Sequence, residues 1–158
     1  MKRINKKAFT LIELLAVLVI LSILLGIAVP AYYSYVQKSQ KGAYQAAEES
    51  LTTAAMDAML DCVNNRGKSF CTNKRLPQSD NEYLKMTLGD LIKGSYMDPI
   101  HDPKNRSNYC NEQSSYAYVL KNPESAKGGY TYYACLVCGS YVSEECDRKE
   151  LGDMTELE

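Results

Sequence analysis

Residues Leu11 to Val29, LIELLAVLVILSILLGIAV, form an apolar run of 19 residues that holds a single ionisable side chain, Glu13. As a helix this run is about 29 Å long, enough to cross the hydrocarbon core of a bilayer. An acid inside such a span is costly: roughly 2.5–3.5 kcal/mol at the bilayer centre and less near an end. A plain anchor has no use for that carboxylate, so Glu13 marks a function and needs a partner when the protein works.

The flank sets the orientation. The first eight residues, MKRINKKA, carry Lys2, Arg3, Lys6 and Lys7 and no acid. Basic residues beside a membrane helix stay in the cytoplasm, so the N-terminus is expected inside and the remainder outside. A cleaved secretory signal would have a shorter apolar region that ends in a small-residue site. Here the run is longer and continues into AYYSYVQKSQKGAYQAAEES, which is compatible with helix. An uncleaved signal anchor is the plainer alternative.

The segment KAFTLIEL resembles the processing site of type IV prepilins and pseudopilins, which carry class III signal peptides. The resemblance runs from about Lys6 to Pro30. It implies cleavage between Ala8 and Phe9 by a prepilin peptidase on the cytoplasmic side, and N-methylation of Phe9. Most relatives have Gly before the cut, where this chain has Ala8. Glu13 falls on the family's signature glutamate, and Pro30 falls where many members carry a proline. In the family, the glutamate of an incoming subunit attracts the N-terminal amine of a subunit already in the filament. In a low dielectric such a pair is strong, and leaving either member unpaired is penalised. Glu13 is thereby assigned to subunit assembly. The implied partners are further copies of the chain in a helical filament, the peptidase, the assembly platform with its ATPase, and the membrane before assembly. The implied location is the cytoplasmic membrane for the precursor and the cell surface for the filament.

The resemblance also implies an α+β pilin fold, with a long N-terminal helix packed on a small antiparallel sheet. The residues support it independently. Ala47, Leu51, Ala54, Ala55, Ala58, Met59 and Cys62 recur at three- and four-residue steps, with Glu48, Glu49, Thr52, Thr53 and Asp57 on the opposite face. One helix is therefore expected from Phe9 to near Val63, kinked or loosened at Pro30. Turn residues follow in Asn64-Asn65-Arg66-Gly67. TLGDLIKG, residues 87–94, reads as a short helix with Thr87 as N-cap, Asp90 in the capping-box position and Gly94 at the end. SYMDPIHDPKN reads as an irregular loop. Ser115–Leu120 and Tyr130–Cys138 read as strands of a hairpin, with Ser140–Val142 as a further edge strand. The expected organisation is a leader at 1–8, a membrane and polymerisation helix at 9–30, an amphipathic half-helix at 31–63 and a globular domain at 64–158.

Loss of the leader would leave 14 basic against 19 acidic residues, a net charge near −5, which does not describe a general polyanion binder. The six cysteines, Cys62, Cys71, Cys110, Cys135, Cys138 and Cys146, all lie in the exported part. With two Phe and no Trp, the domain is expected to brace a modest core with disulfides. The Cys135-x-x-Cys138 spacing invites redox or zinc chemistry, but the pair sits in or just after a strand, not at a helix N-terminus. On a strand the two residues face opposite ways and should bond to different partners. The favoured pairing is Cys62–Cys71, Cys110–Cys135 and Cys138–Cys146, with other connectivities open. Asp98, Asp102, Asn105 and Asn108 form an oxygen-rich stretch that lacks the spacing of a calcium loop and reads as a solvated turn. His101 has no catalytic partner implied by spacing. No metal, cofactor or catalytic set is expected.

The leading expectation is a structural subunit of a type IV pilus. A pseudopilin or minor pilin of a secretion system is the alternative within the family. DNA uptake rests only on the basic loop Arg66 to Arg75, and no specific nucleic acid is predicted. A non-polymerising, membrane-anchored binding protein is the alternative outside the family.

Overall fold

The computed structural model describes residues 10–64, 75–125, 129–147 and 152–157. The chain divides into two compact units, Met1–Lys41 and Gly42–Glu158.

Helix α1 (Leu11–Val63) is a single element of 53 residues with Pro30 inside it. It ends at Asn64, whose backbone N–H and side-chain amide both donate to the Leu60 carbonyl, at 3.0 and 2.8 Å. These bonds satisfy a carbonyl that the helix terminus would otherwise leave open. The later turns of α1 bury Tyr44, Leu51, Ala54, Ala55, Ala58 and Met59. All but Tyr44 lie on the apolar stripe read from the sequence, and small residues there let the helix backbone approach its neighbours closely.

Strand β1 (Glu82–Thr87) runs into helix α2 (Leu88–Lys93) through a capping box. The Thr87 hydroxyl accepts from the Asp90 N–H, and the Asp90 carboxylate accepts from the Thr87 N–H. Strands β2 (Tyr116–Lys121) and β3 (Tyr130–Cys135) form the expected hairpin. A short final strand, β6 (Thr155–Leu157), pairs parallel to β1. The sheet order is β3-β2-β1-β6, antiparallel except for that last pairing. Leu84, Met86, Ala117, Val119, Tyr130 and Ala134 join the α1 stripe, Leu88 and Leu91 in one core. The domain is thus α+β, with a helix layer on a mostly antiparallel sheet.

Three expectations change. Tyr130–Cys138 is not one strand. It breaks at Leu136, whose N–H donates to the Ser143 hydroxyl at 2.8 Å instead of to a ladder partner. Its last two residues form β4 (Val137–Cys138), which pairs with β5 (Tyr141–Val142) in a separate ribbon, so 140–142 does not extend the main sheet. Strands β1 and β6 had no counterpart in the sequence reading.

The disulfide pairing also differs. The bonds are Cys110–Cys138 and Cys135–Cys146, instead of Cys110–Cys135 and Cys138–Cys146. Cys135 and Cys138 do take different partners, but the break at Leu136 exchanges them. Cys138 turns into the core, where Cys110 also lies. Cys135 ends β3 opposite Tyr116 and takes the cysteine of the 3-10 turn at Glu144–Asp147. Cys62 is disulfide-bonded as well. Its expected partner, Cys71, lies outside the described residues.

Candidate assembly site

The first turn of α1 is built on a second capping box. Thr10 precedes the helix, and its hydroxyl accepts from the Glu13 N–H at 3.3 Å. In return, the Glu13 carboxylate accepts from the Thr10 N–H at 2.9 Å and from its hydroxyl at 2.8 Å. A helix start leaves several N–H groups without intrahelical partners, and a carboxylate there also complements the helix dipole. Glu13 is therefore held at the head of the apolar helix by its bonds to Thr10. No cation among the described residues pairs with it. The threonine was legible as T-x-x-E and is the site residue that the sequence reading missed.

The expected cleavage pair, Ala8 and Phe9, lies outside the described residues, so the structure neither joins nor separates it from Glu13. On both sides of Glu13 the helix presents apolar side chains to its surroundings. Leu11, Ile12, Leu18, Ile23 and Ile27 are all more than half exposed, and no residue of the most hydrophobic window is buried. This helix is long and apolar enough to cross a membrane. Ser22 satisfies its hydroxyl by donating to the Leu18 carbonyl at 2.7 Å, which hides the polar group within the helix.

The other candidates do not assemble into a site. Both cysteines of the Cys135-x-x-Cys138 pair are consumed in disulfides with different partners, so they serve neither as a redox couple nor as zinc ligands. The oxygen-rich loop does not converge on a cation: Asp98, Asn105 and Asn108 are exposed. Asp102 departs from the expected solvated turn, because it is buried and accepts from the Tyr44 hydroxyl at 2.7 Å and the Lys104 N–H at 2.9 Å. Among the described residues no cluster of His, Cys, Asp or Glu is arranged to hold a metal. His101 is exposed, stacks near Tyr109 at 4.3 Å between ring centres, and hydrogen-bonds the Arg106 carbonyl through Nδ1. Of the basic loop, Arg66, Lys68 and Lys74 fall outside the described residues, and Arg75 pairs with Glu82 at 3.2 Å.

Residues 3–29 match the family described as the prokaryotic N-terminal methylation motif. Two proteins named fimbrial protein from Pseudomonas aeruginosa are 32% and 33% identical over 64% and 57% of this chain. Fimbrial protein Q of Moraxella bovis is 32% identical over 61% of it. The chain spans 62%, 54% and 58% of the length of these three curated relatives. No solved structure matches it. The chain thus resembles fimbrial proteins through an N-terminal methylation motif and over 57–64% of its length, and it carries a long helix and a disulfide-braced α+β domain.

Proposed function

We propose that the chain is a structural subunit of a type IV pilus. A prepilin peptidase removes residues 1–8 on the cytoplasmic side and methylates Phe9. The chain waits in the cytoplasmic membrane with its N-terminus inside and its globular part outside. It then polymerises through the apolar helix, driven by the assembly platform and its ATPase, into a filament at the cell surface. Residues 9–30 serve as membrane and polymerisation helix, 31–63 as the amphipathic half-helix and 64–158 as the displayed domain. The role is structural and not enzymatic.

The supporting observation is Glu13: a carboxylate with no cationic partner among the described residues, at the head of a helix whose apolar side chains are uncovered. The free amine that cleavage creates on another subunit supplies the missing charge. Both the helix and the ion pair are then buried among like helices. The names of the relatives favour a pilus over a secretion pseudopilus.

Replacement of Glu13 by Ala tests this reading. The variant should be processed and stay in the membrane without yielding surface filaments. Wild-type filament levels from Glu13→Ala would overturn the pairing. Mass spectrometry of the mature N-terminus should find methylated Phe9, and an intact Met1 would instead identify a plain anchor.

A further inference from the structure

Immediately beyond the apolar run, three tyrosines follow within four residues: Tyr32, Tyr33 and Tyr35. They are 66%, 63% and 72% exposed, so their rings are not part of the chain's own core. Tyr32 and Tyr33 meet only edge to face, at 6.3 Å between centres. At about 100° per residue, the three rings spread over roughly 160° of the helix circumference. That arc is wider than a narrow helix-packing seam. Lys38 and Lys41 come next, both exposed.

The axial positions follow from the helical rise. Tyr33 lies about 33 Å from Leu11, just past a ~30 Å hydrocarbon core. Lys38 and Lys41 lie about 40 and 45 Å from Leu11, just above the outer headgroup layer and within about a Debye length of its charge. Tyrosine has an apolar ring and a polar tip, and is enriched at this depth. A lysine just above the surface attracts anionic headgroups, and its long flexible stem lets the ammonium reach down to them.

We propose that Tyr32, Tyr33 and Tyr35, with Lys38 and Lys41, form a lipid-facing collar that seats the unassembled subunit in the outer headgroup layer of the membrane. The occupant of this surface is anionic phospholipid. The collar fixes the depth of the helix, and with it the level at which Glu13 is presented on the opposite side. This inference rests on the membrane-stored stage of the function proposed above.

The chain contains no tryptophan, so a single introduced indole gives an unambiguous signal. The full chain carrying Tyr33→Trp, reconstituted in phosphatidylcholine–phosphatidylglycerol vesicles, would be quenched by lipids labelled at the headgroup or at the bilayer centre. Headgroup-labelled lipid should quench about two-fold or more better than centre-labelled lipid, as for an interfacial aromatic. A second reporter, Leu21→Trp, should show the opposite preference. In a Tyr32→Ser, Tyr35→Ser background the Tyr33→Trp preference should weaken, because the remaining ring no longer holds the depth. If Leu21→Trp is quenched by neither label, the helix does not span and the membrane stage itself fails. If Leu21→Trp behaves as expected but the Tyr33→Trp indole is quenched only from water, or best from the bilayer centre, the collar alone is overturned. Shielding of that indole from both lipid and water, relieved on dilution of protein in lipid, would assign the tyrosines to a second copy of the chain and would also overturn it.

Discussion

At the scale of single residues, Asp102 shows how a group gains a role that its neighbours in sequence do not announce. Its loop reads as solvated, yet the carboxylate is buried and bonded to Tyr44, 58 residues earlier on α1. Tyr44 in turn stacks on Tyr141, with ring centres 3.8 Å apart and planes 6° apart, and the Tyr141 hydroxyl donates to Glu48 at 2.7 Å. Gly139 completes the enclosure. Its backbone is left-handed, with φ +58°, and an added Cβ would sit 3.0 Å from the Asp102 carboxylate. Tyr44→Phe should cost about 1–2 kcal/mol, because it removes a hydrogen bond to a charged acceptor that keeps other donors. Denaturant unfolding of the solubilised chain measures this. The Tyr44 hydrogen bond holds the Asp102 pKa below its ordinary 3.8. The contribution is therefore present above pH 3.8 and fades as pH falls through the lower folded value. The variant's deficit should shrink in the same direction, and a deficit that grows on acidification would contradict the assignment.

At the scale of elements, what the sequence reveals depends on how far apart the cooperating residues lie. The capping box of α2 was legible because Thr87 and Asp90 are three residues apart, and the α1 stripe because its periodicity is local. The Thr10–Glu13 box was equally local. Strand β1 was also legible in principle, since Leu84 and Met86 alternate with Tyr83, Lys85 and Thr87. Strand β6 was not: three residues carry no usable period, and its existence depends on Glu82–Leu84 being alongside. The cysteine exchange has the same origin, because the alternation of β3 gives way at one hydrogen bond, donated by Leu136 to Ser143 seven residues later. Breaking Cys110–Cys138 with a paired Cys→Ser change opens a link of sequence separation 28. On chain-entropy grounds this should destabilise the domain by about 3–4 kcal/mol. Breaking Cys135–Cys146, of separation 11, should cost less, about 2–3 kcal/mol. Thermal unfolding of the two variants ranks them, and non-reducing peptide mapping checks the connectivity directly.

At the scale of the whole molecule, tyrosine supplies nearly all of the aromatic content, with 13 Tyr against two Phe and no Trp. A ring with a phenol packs well only while its hydroxyl stays neutral or donates to an acceptor. Tyr44, Tyr83, Tyr132 and Tyr141 are all pushed up to about 12, in each case chiefly by burial of the phenol. Asp102, Glu156 and Glu48 add to this at Tyr44, Tyr83 and Tyr141, because each accepts a bond from a protonated phenol. The sign follows from linkage. The folded state holds these protons more tightly than the unfolded chain, so the stabilisation is complete below the ordinary value of 10 and is lost as pH rises towards 12. The domain should therefore lose stability across pH 10–12 by ionisation of one buried and three partly buried phenols. In an alkaline titration, part of the tyrosinate absorbance should appear together with loss of the tertiary circular-dichroism signal. Full ionisation of all 13 tyrosines near pH 10 with that signal unchanged would show that the phenols are not held by the fold. Replacing Tyr132 by Phe keeps the ring and removes one of the four protons, so it should move the alkaline transition to higher pH.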